Sequence, residues 1–335
     1  MKKTGFRTIL SNTVKTLLLP VVVYLIFVLL TNGKFGTAAS MSAMLRNACQ
    51  SIILAWGVML ITAAGMWDFS AGAQLYLSAL IVMQILIKYE LGLIPMLLLL
   101  LVVNMALRAL VAAIYSLVHV KSMVVTLALA MIFESAAKFF FGSGLTLKTK
   151  ECLAIANSPW CFLILGLCLL LTIYIWQYTK FSFHVRALGS GENVARNIGL
   201  SPAKIRFKVF LVEGLFLTVT TALMIGTQAN IRPPMNLSSN TLVFKALMAT
   251  FIGLALERYS NLIIGTAIGT IVMTMLNSGL LAMGVNSAWQ VAITGIFMAV
   301  FIGFSTNQVR LYRYFDGRKR AQEAELHYRQ MQAQR

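Results

Sequence analysis

The chain has 335 residues, of which 59% are hydrophobic and only 11% are charged. Because soluble domains carry roughly 25% charged residues, this composition excludes a large soluble catalytic domain, a disordered chain and a disulfide-rich scaffold, and it indicates an integral membrane protein. The net charge of +18 comes from 28 Lys and Arg residues against 10 Asp and Glu residues. No nucleic-acid-binding module accompanies it, so we attribute the excess to cytoplasmic loops, where basic residues set the orientation of membrane proteins.

Ten segments are apolar enough to cross a membrane, since a spanning helix needs about 20 mostly apolar residues. The first is interpreted as a retained helix rather than a cleaved signal peptide, because no small-residue cleavage site follows it. In the second, Gly57, Thr62 and Gly65 predict a helix that is broken or closely packed rather than lipid-facing. We predict an all-α polytopic membrane protein with about ten transmembrane helices, at 14–31, 47–65, 70–87, 91–113, 122–141, 160–178, 205–226, 241–256, 262–281 and 286–305.

The basic residues predict that both chain ends lie in the cytoplasm. With ten spans, this orientation puts 20 of the 28 Lys and Arg residues on the cytoplasmic side, when flanking residues such as Arg108 are counted. We predict a membrane domain over 1–305 with its longest internal loop at 179–204, and a basic cytoplasmic tail over 306–335 that contacts anionic lipid.

Motifs of catalysis and of metal or nucleotide binding are missing from the sequence. The three histidines are scattered, no HExxH or Gly-x-Ser-x-Gly pattern occurs, and the four cysteines form no CxxC pair. A Gly-x-x-x-x-Gly-Lys-[Ser/Thr] phosphate loop is also missing. We therefore expect no catalytic residue, no metal site and no cofactor in this chain, and ATP-driven transport would need a motor in another chain.

Three acidic residues fall within or beside predicted spans, where ionisable groups are costly and tend to line cavities. Asp68 either caps the third helix, next to Ser70, or lies on a substrate path. Glu134 is explained by an i,i+4 pair with Lys138. Glu213 has no partner nearby in the sequence, so it either packs against another polar helix or lines a pathway. The candidate pathway residues are therefore Asp68, Ser70 and Glu213.

The loop 179–204 has a punctuated pattern. Gly189-Ser190-Gly191 interrupts the chain, and Ser190 is placed to cap a short helix from Glu192 to Ile198. Gly199 suits the left-handed position after that helix, and Ser201-Pro202 starts the next span. The pattern predicts a short helix along the cytoplasmic surface that a partner protein could hold.

Two stretches carry a resemblance to a known family. The loop resembles the Ala-Ile-Gly-Gly-Asn-x-x-Ala-Ala-Arg-x-x-Gly-Ile sequence of permease subunits of ATP-binding-cassette (ABC) importers for ribose and other monosaccharides. Residues 65–72 resemble the Gly-Gly-Ile-Asp-Leu-Ser-Val-Gly sequence of the same family, and 279–290 also resemble it, within a likeness that covers about 40–305. The matching positions are Ala187, Leu188, Gly189, Ala195, Arg196, Gly199 and Leu200 in the loop, and Gly65, Asp68, Ser70 and Gly72 in the second stretch.

The sequence also departs from the family pattern. The family's late glycine-rich stretch corresponds to Ile252 to Asn261, where only the first two positions are kept. Met66 and Trp67 are bulky where the family has Gly and Ile. These differences lead to the hypothesis that the chain pairs with a different permease subunit, with a homodimer as the alternative.

The resemblance implies a permease subunit in the bacterial inner (plasma) membrane that moves a sugar or related small polar solute inward. Its implied partners are a separate ATPase, a second permease subunit and an extracytoplasmic solute-binding protein. The residues expected to couple to the ATPase are Gly189, Glu192, Ala195, Arg196 and Gly199. The alternatives are an importer of nucleosides or of an autoinducer-type sugar derivative, and an ATPase-independent secondary carrier or channel. The lack of a recognisable buried charged relay argues against the carrier.

Overall fold

The computed structural model describes residues 6–118, 120–257, 259–286, 289–297, 299, 300 and 303, with side chains from Thr16 onward except that of Lys34. The chain divides into two compact units, Met1–Asn286 and Ser287–Arg335. In the second unit the described residues are helical. They belong to the predicted span 286–305, whereas the predicted tail 306–335 lies outside the described residues.

The first unit is built almost entirely from α-helices. Short connecting elements are a 3-10 turn at Lys34–Gly36 and a π-helical turn at Tyr174–Tyr178, which continues the seventh helix. The helices are α1 (Phe6–Leu30), α2 (Ala38–Ala63), α3 (Ser70–Tyr89), α4 (Leu93–Leu117), α5 (Ser122–Phe141), α6 (Lys150–Ala154), α7 (Trp160–Ile173), α8 (Lys180–Gly189), α9 (Glu192–Asn197), α10 (Pro202–Thr227), α11 (Asn240–Leu256) and α12 (Leu262–Ala282).

Seven helices of the described residues are long and apolar enough to cross a membrane: α2, α3, α4, α5, α7 with its π turn, α10 and α12. Two further apolar helices are shorter, Thr16–Leu30 within α1 and the whole of α11. Each predicted span before residue 282 thus coincides with a helix. The chain is a multi-pass membrane protein, while the number of crossings and their sidedness stay predictions.

The second predicted span is one continuous helix to Ala63 and is closely packed, which is one of the two alternatives that the sequence left open. A Cβ added to Gly57 would lie 3.1 Å from the Cβ of Phe216 in α10. On the same helix, the indole Nε1 of Trp56 donates a 3.1 Å hydrogen bond to the carbonyl of Ile263. Gly57 lets the backbones of α2 and α10 approach closely, as small residues do in membrane bundles.

The helices differ in how much protein surrounds them. In α2, α3 and α10 the most apolar 18-residue window is 72% buried, against 28% in α4 and 22% in α7 with its π turn. The first three therefore form the centre of the unit, and α4 and α7 turn most of their apolar surface outward.

The connecting segments gather at two ends of the first unit. At one, the α9 end, the turn at 64–69 lies against α8, since Gly65 abuts the backbone of Gly189. The backbone N–H of Trp67 there donates to the hydroxyl of Ser122, at the start of α5. At the other, the ribbon end, strands β1 (Leu145–Thr146) and β2 (Asn230–Ile231) pair antiparallel, with Leu145 opposite Ile231.

Helix α11 begins in the interior of the first unit rather than at its surface. Its neighbour Ser239 is 1% exposed and donates its backbone N–H to Glu134, the thirteenth residue of α5. At 1.5 Å per residue, Glu134 is about 18 Å along α5 from the α9 end. Residues 232–239, the re-entrant segment, therefore run from β2 into the bundle. A Cβ on Gly72 of α3 would overlap the Ser239 carbonyl oxygen, so the first turns of α3 and α11 touch.

Candidate functional site

Asp68 joins the start of α3 to α4. Its Oδ1 accepts hydrogen bonds from the backbone N–H of Ser70 at 2.8 Å and from the Ser70 hydroxyl at 2.6 Å. These bonds satisfy the first N–H of α3 from the residue before its N-cap; the N-cap, Phe69, makes no side-chain bond itself. Oδ2 accepts a hydrogen bond from the Nη1 of Arg108, in the middle of α4. Asp68 is therefore both a cap and one member of a buried ion pair.

Glu213 of α10 meets the same guanidinium. Its Oε2 lies 3.1 Å from Arg108 Nη1 in an ion-pair contact that lacks hydrogen-bond geometry. The side chains of Asp68, Arg108 and Glu213 are at most 1% exposed. We call these three residues the charge cluster. Its members come from three separate elements, so it ties together α3, α4 and α10.

Close helix contacts surround the charge cluster. A Cβ on Gly214 would lie 3.1 Å from Arg108 Cγ, and one on Gly57 would lie 3.3 Å from Glu213 Cγ. One turn before Arg108, Asn104 accepts two hydrogen bonds of 3.1 Å from the side-chain nitrogen of Gln74 in α3, at its carbonyl and at its Oδ1. Polar contacts between α3 and α4 therefore extend from the cluster along the helix pair.

Two sequence interpretations are wrong at this cluster. Arg108 was counted among residues flanking the cytoplasmic side, but it lies nine residues before the end of α4 and is fully buried. A buried set of charges exists, so its supposed lack no longer argues against a carrier. The signal was present in the sequence, since Arg108 is the single charged residue of an otherwise apolar helix and such residues mark functional or partnered positions.

Glu134 does not pair with Lys138 as predicted. Its carboxylate accepts the backbone N–H groups of Leu237 at 2.8 Å and Ser239 at 3.0 Å. Lys138 instead donates to the carbonyl of Gly142 at 3.1 Å. The sequence could not identify Leu237 and Ser239 as partners because they are about 100 residues away. Glu134 holds the re-entrant segment and satisfies donors ahead of α11.

The loop 179–204 contains two helices, α8 and α9, where the sequence predicted one. Ser190 does not cap α9, since its hydroxyl donates to the carbonyl of Arg186 at 3.0 Å and Gly191 takes the N-cap position without a side-chain bond. Gly199 is left-handed as predicted, with φ of 78°. Pro202 does open α10, after Ser201.

Glu192 ties α9 to α10. It forms an i,i+4 pair with Arg196 at 2.6 Å, and its other oxygen accepts a hydrogen bond from Arg206 of α10. Hydrogen bonds from these two arginines, Arg196 foremost, lower the pKa of the Glu192 carboxyl. The guanidinium of Arg206 also lies over the ring of Tyr115 in α4, 5.5 Å from its centroid. Both carboxylate oxygens of Glu192 are thus paired within the chain, so neither is left unpaired for a partner protein.

The remaining residues expected to couple to the ATPase are either packed against the helix bundle or exposed at its surface. Ala195 was expected to couple to the ATPase, but it is fully buried in this chain and does not present its side chain to a partner. Gly189 packs on the turn that precedes Asp68, because a Cβ there would overlap the carbonyl of Ala63. Arg196 and Gly199 are exposed. Two apolar side chains that the sequence did not single out are also exposed. Val194 in α9 is 45% exposed, and Ile198 just after α9 is 51% exposed.

One of the bulky residues that depart from the family pattern, Trp67, packs beside the other altered stretch. The ring of Trp67 lies 5.8 Å from that of Phe251, next to the altered stretch at 252–261, and 6.3 Å from that of Phe69. Met66 is buried. The aromatic rings of Trp67 and Phe69 therefore pack against α11, through Phe251 and Phe244. Among the described residues, no three His, Cys, Asp or Glu side chains are grouped to hold a metal ion.

Comparison with known proteins places the chain in a family. The family model described as branched-chain amino acid transport system, permease component, matches residues 40–302. The chain belongs to this permease family. The resemblance noted from the loop and from residues 65–72 is thereby confirmed.

Full-length relatives are permeases as well. The probable ABC transporter permease protein YphD of Escherichia coli (strain K12) is 26% identical over 298 residues, covering 87% of this chain and 88% of YphD. The ribose import permease protein RbsC of the same strain is 21% identical over 85% of this chain and 91% of its own. The fructose import permease protein FruF of Bifidobacterium longum (strain NCC 2705) is 22% identical over 87% and 84%. No solved structure matches the chain.

Proposed function

We propose that this chain is the permease subunit of an ABC importer that moves a sugar, or a related small polar solute, inward across a bacterial inner membrane. The observation that carries the proposal is the permease-family match over 40–302, which takes in nearly all the predicted spans. Relatives named as ribose and fructose import permeases favour a sugar. In this role the chain is a transport subunit, and ATP is hydrolysed on a separate ATPase.

We assign the contact with the ATPase to the surface of α9. Val194 and Ile198 are four residues apart, so they share one face of the helical turn, and both are exposed on a loop of the α9 end. Exposed apolar side chains within a polar loop are typical of a protein contact. Arg196 flanks them with an exposed charge. Gly189, Glu192 and Ala195 act from the inner side by holding α9 rigidly on the bundle.

The contacts suggest how a push on α9 is transmitted to the centre of the bundle. The pair of Glu192 with Arg206 links α9 to α10, and Glu213, two turns further along α10, meets Arg108. On the other side, Gly189 touches the turn that carries Asp68. Two routes from the α9 surface therefore converge on the charge cluster, which is where we place the role of Asp68, Ser70 and Glu213.

The test is uptake into proteoliposomes that contain this chain together with an ABC ATPase and a solute-binding protein from the same organism. We expect uptake of radiolabelled ribose, fructose or galactose that requires ATP and both partners. Uptake by the chain alone under an ion gradient would contradict the proposal and support a secondary carrier. Competition by nucleosides but by none of the sugars would support the nucleoside alternative. Co-expression with a second permease gene distinguishes a heterodimer from a homodimer.

The assignment of α9 is tested by charge substitutions. Val194→Asp and Ile198→Asp should lower co-purification of the ATPase, because each places a charge in an apolar contact. Asn193→Asp is the matched control, since it adds the same charge at a neighbouring exposed position without removing apolar surface. Wild-type amounts of ATPase with both apolar variants would contradict the assignment.

A further inference from the structure

A cavity of about 440 Å³ opens between α5 and the re-entrant segment. This volume is within the range of small-molecule sites, which are roughly 300–1,000 Å³. Its wall combines one face of the outer half of α5 with the tip of the re-entrant segment. The lining residues are Met131, Glu134, Ser135, Lys138, Phe139, Pro234, Met235, Asn236 and Leu237.

The backbone beside this cavity is irregular although it lies inside the helix bundle. The re-entrant segment is not helical, and from the ribbon end it reaches Glu134, seven residues or about 10 Å along α5 from Phe141. Irregular backbone at membrane depth is tolerated only where it is buried in protein or lines a water-filled cavity. Asn236 and Leu237 also adopt left-handed φ values of 56° and 60°. Such strain persists only where surrounding contacts enforce it, and here the carboxylate of Glu134 holds the N–H of Leu237.

The chemistry of the wall matches a neutral solute with many hydroxyl groups. Lys138 and Glu134 contribute one charge of each sign, so the wall carries no net charge. Ser135 and Asn236 are exposed and make no side-chain hydrogen bond to any other described residue, which leaves their donors and acceptors free. Phe139 is 82% exposed and offers an aromatic face for the C–H side of a sugar ring.

We propose that this cavity is a water-filled solute site in which Ser135, Asn236 and Phe139 contact a neutral polyhydroxylated solute. The inference rests on the proposed transport function and specifies where, in this chain, the solute is met. The two alternatives are a groove filled with lipid and an interface with a second permease subunit. The first experiment separates the proposal from the lipid groove, and the second separates it from the subunit interface.

The first experiment measures water in the cavity and does not depend on transport. Ser135→Cys, Asn236→Cys and Leu167→Cys are made in the full-length chain, whose own four cysteines are buried. Leu167 is the control because it is 67% exposed in the middle of α7, on an apolar surface. A thiol reacts as its thiolate, which needs water, so a charged methanethiosulfonate should modify positions 135 and 236 about tenfold or more faster than position 167. Equal, slow modification at all three positions would overturn the inference.

The second experiment asks whether the solute uses the cavity. Ser135→Trp should abolish most uptake of whichever of ribose, fructose and galactose the wild type transports, with ATPase and permease partners still co-purifying. Leu167→Trp should transport normally. Loss of a co-purifying permease subunit in Ser135→Trp would mean a subunit interface and would overturn the inference, as would normal uptake. If wild type transports none of these sugars, the proposed function fails, while the modification rates still decide whether the cavity holds water.

Discussion

Arg108 is shared by two carboxylates that come from different elements, and none of the three side chains is more than 1% exposed. The cluster contains one cation and two acids, so removing the cation leaves Asp68 and Glu213 side by side in a medium that solvates charge poorly. Within the described residues, Arg108 Nε and Nη2 have no hydrogen-bond partner. The guanidinium therefore has N–H donors that could bind a new acceptor when the helices around it shift.

Arg108→Met should destabilise the permease by about 3–5 kcal/mol, because it breaks a buried ion pair by removing one partner. The triple variant Arg108→Met/Asp68→Asn/Glu213→Gln should recover much of that loss, since no uncompensated charge remains. Thermal unfolding of the purified protein in detergent measures both. An Arg108→Met variant as stable as the wild type would show that the cluster contributes little to stability.

Glu192 has a definite pH dependence. Its pKa is lowered in the folded chain by Arg196 and Arg206, so its bonds stabilise α9 fully at pH values above the ordinary Glu range, and this stabilisation is lost as pH falls through the lowered pKa. Hydrogen exchange of residues 192–198 should therefore be equally protected at pH 8 and pH 6, after correction for intrinsic rates, and lose protection only in acid. Glu192→Gln should remove this acid-dependent loss. Loss of protection between pH 8 and 6 would contradict the assignment.

At the scale of elements, the interior start of α11 organises the centre of the first unit. Its preceding residues are held by Glu134 of α5 and by the backbone of α3 at Gly72. Transporters commonly form their solute sites from helices that begin or break near the middle of the membrane. The contact between the first turns of α3 and α11 is thus a place where small changes in packing have large effects.

Gly72→Ala should destabilise the protein by about 1–3 kcal/mol, because a methyl group there overpacks against the Ser239 backbone, which cannot move aside. Gly166→Ala in α7 is the control, since nothing lies within 4 Å of a Cβ at that position. Thermal unfolding of the two variants should differ clearly. Equal stability of Gly72→Ala and Gly166→Ala would mean that α3 and α11 separate freely at this point.

At the scale of the whole molecule, the loops fall into two groups that the sequence had assigned to opposite sides of the membrane. Residues 142–158 and 227–240, which the sequence predicts to be outside, contain the two strands of the β1–β2 pair, although 232–239 run from that pair into the bundle. The segments 66–69 and 179–204, which the sequence predicts to be inside, also lie together, since Gly65 abuts Gly189. The grouping agrees with the predicted topology, and which group faces the cytoplasm stays a prediction.

Sidedness is tested with cysteines at one exposed position in each group, Ser143→Cys and Asn193→Cys. In intact cells a membrane-impermeant thiol reagent should label position 143 and leave position 193 unlabelled, and permeabilised cells should be labelled at both. Labelling of position 193 in intact cells would overturn both the orientation and the assignment of α9 to a cytoplasmic ATPase.

Features that depend on neighbours in the sequence were predictable. The positions of the spans, the cap of Asp68 on Ser70, the pair of Glu192 with Arg196 and the left-handed Gly199 all involve residues within a few positions of each other. The error at Glu134 is of the opposite kind. Glu134 had a plausible local partner in Lys138, and the structure supplied one about 100 residues away. Ser190 shows that local spacing can also offer two choices, since its hydroxyl bonds back to the carbonyl of Arg186, four residues before it, and not forward to α9.

By itself the sequence determined that this is a polytopic helical membrane protein of a permease family, because apolar run length, basic bias and short glycine-punctuated motifs are local properties. Only the tertiary structure decided that Arg108 joins Asp68 to Glu213, that Ala195 faces inward, and that residues 232–239 enter the bundle. The physical reason is that apolar helices of similar length can pack in many ways. The choice among them depends on where buried charges and unpaired backbone groups find partners, and those partners lie on other helices.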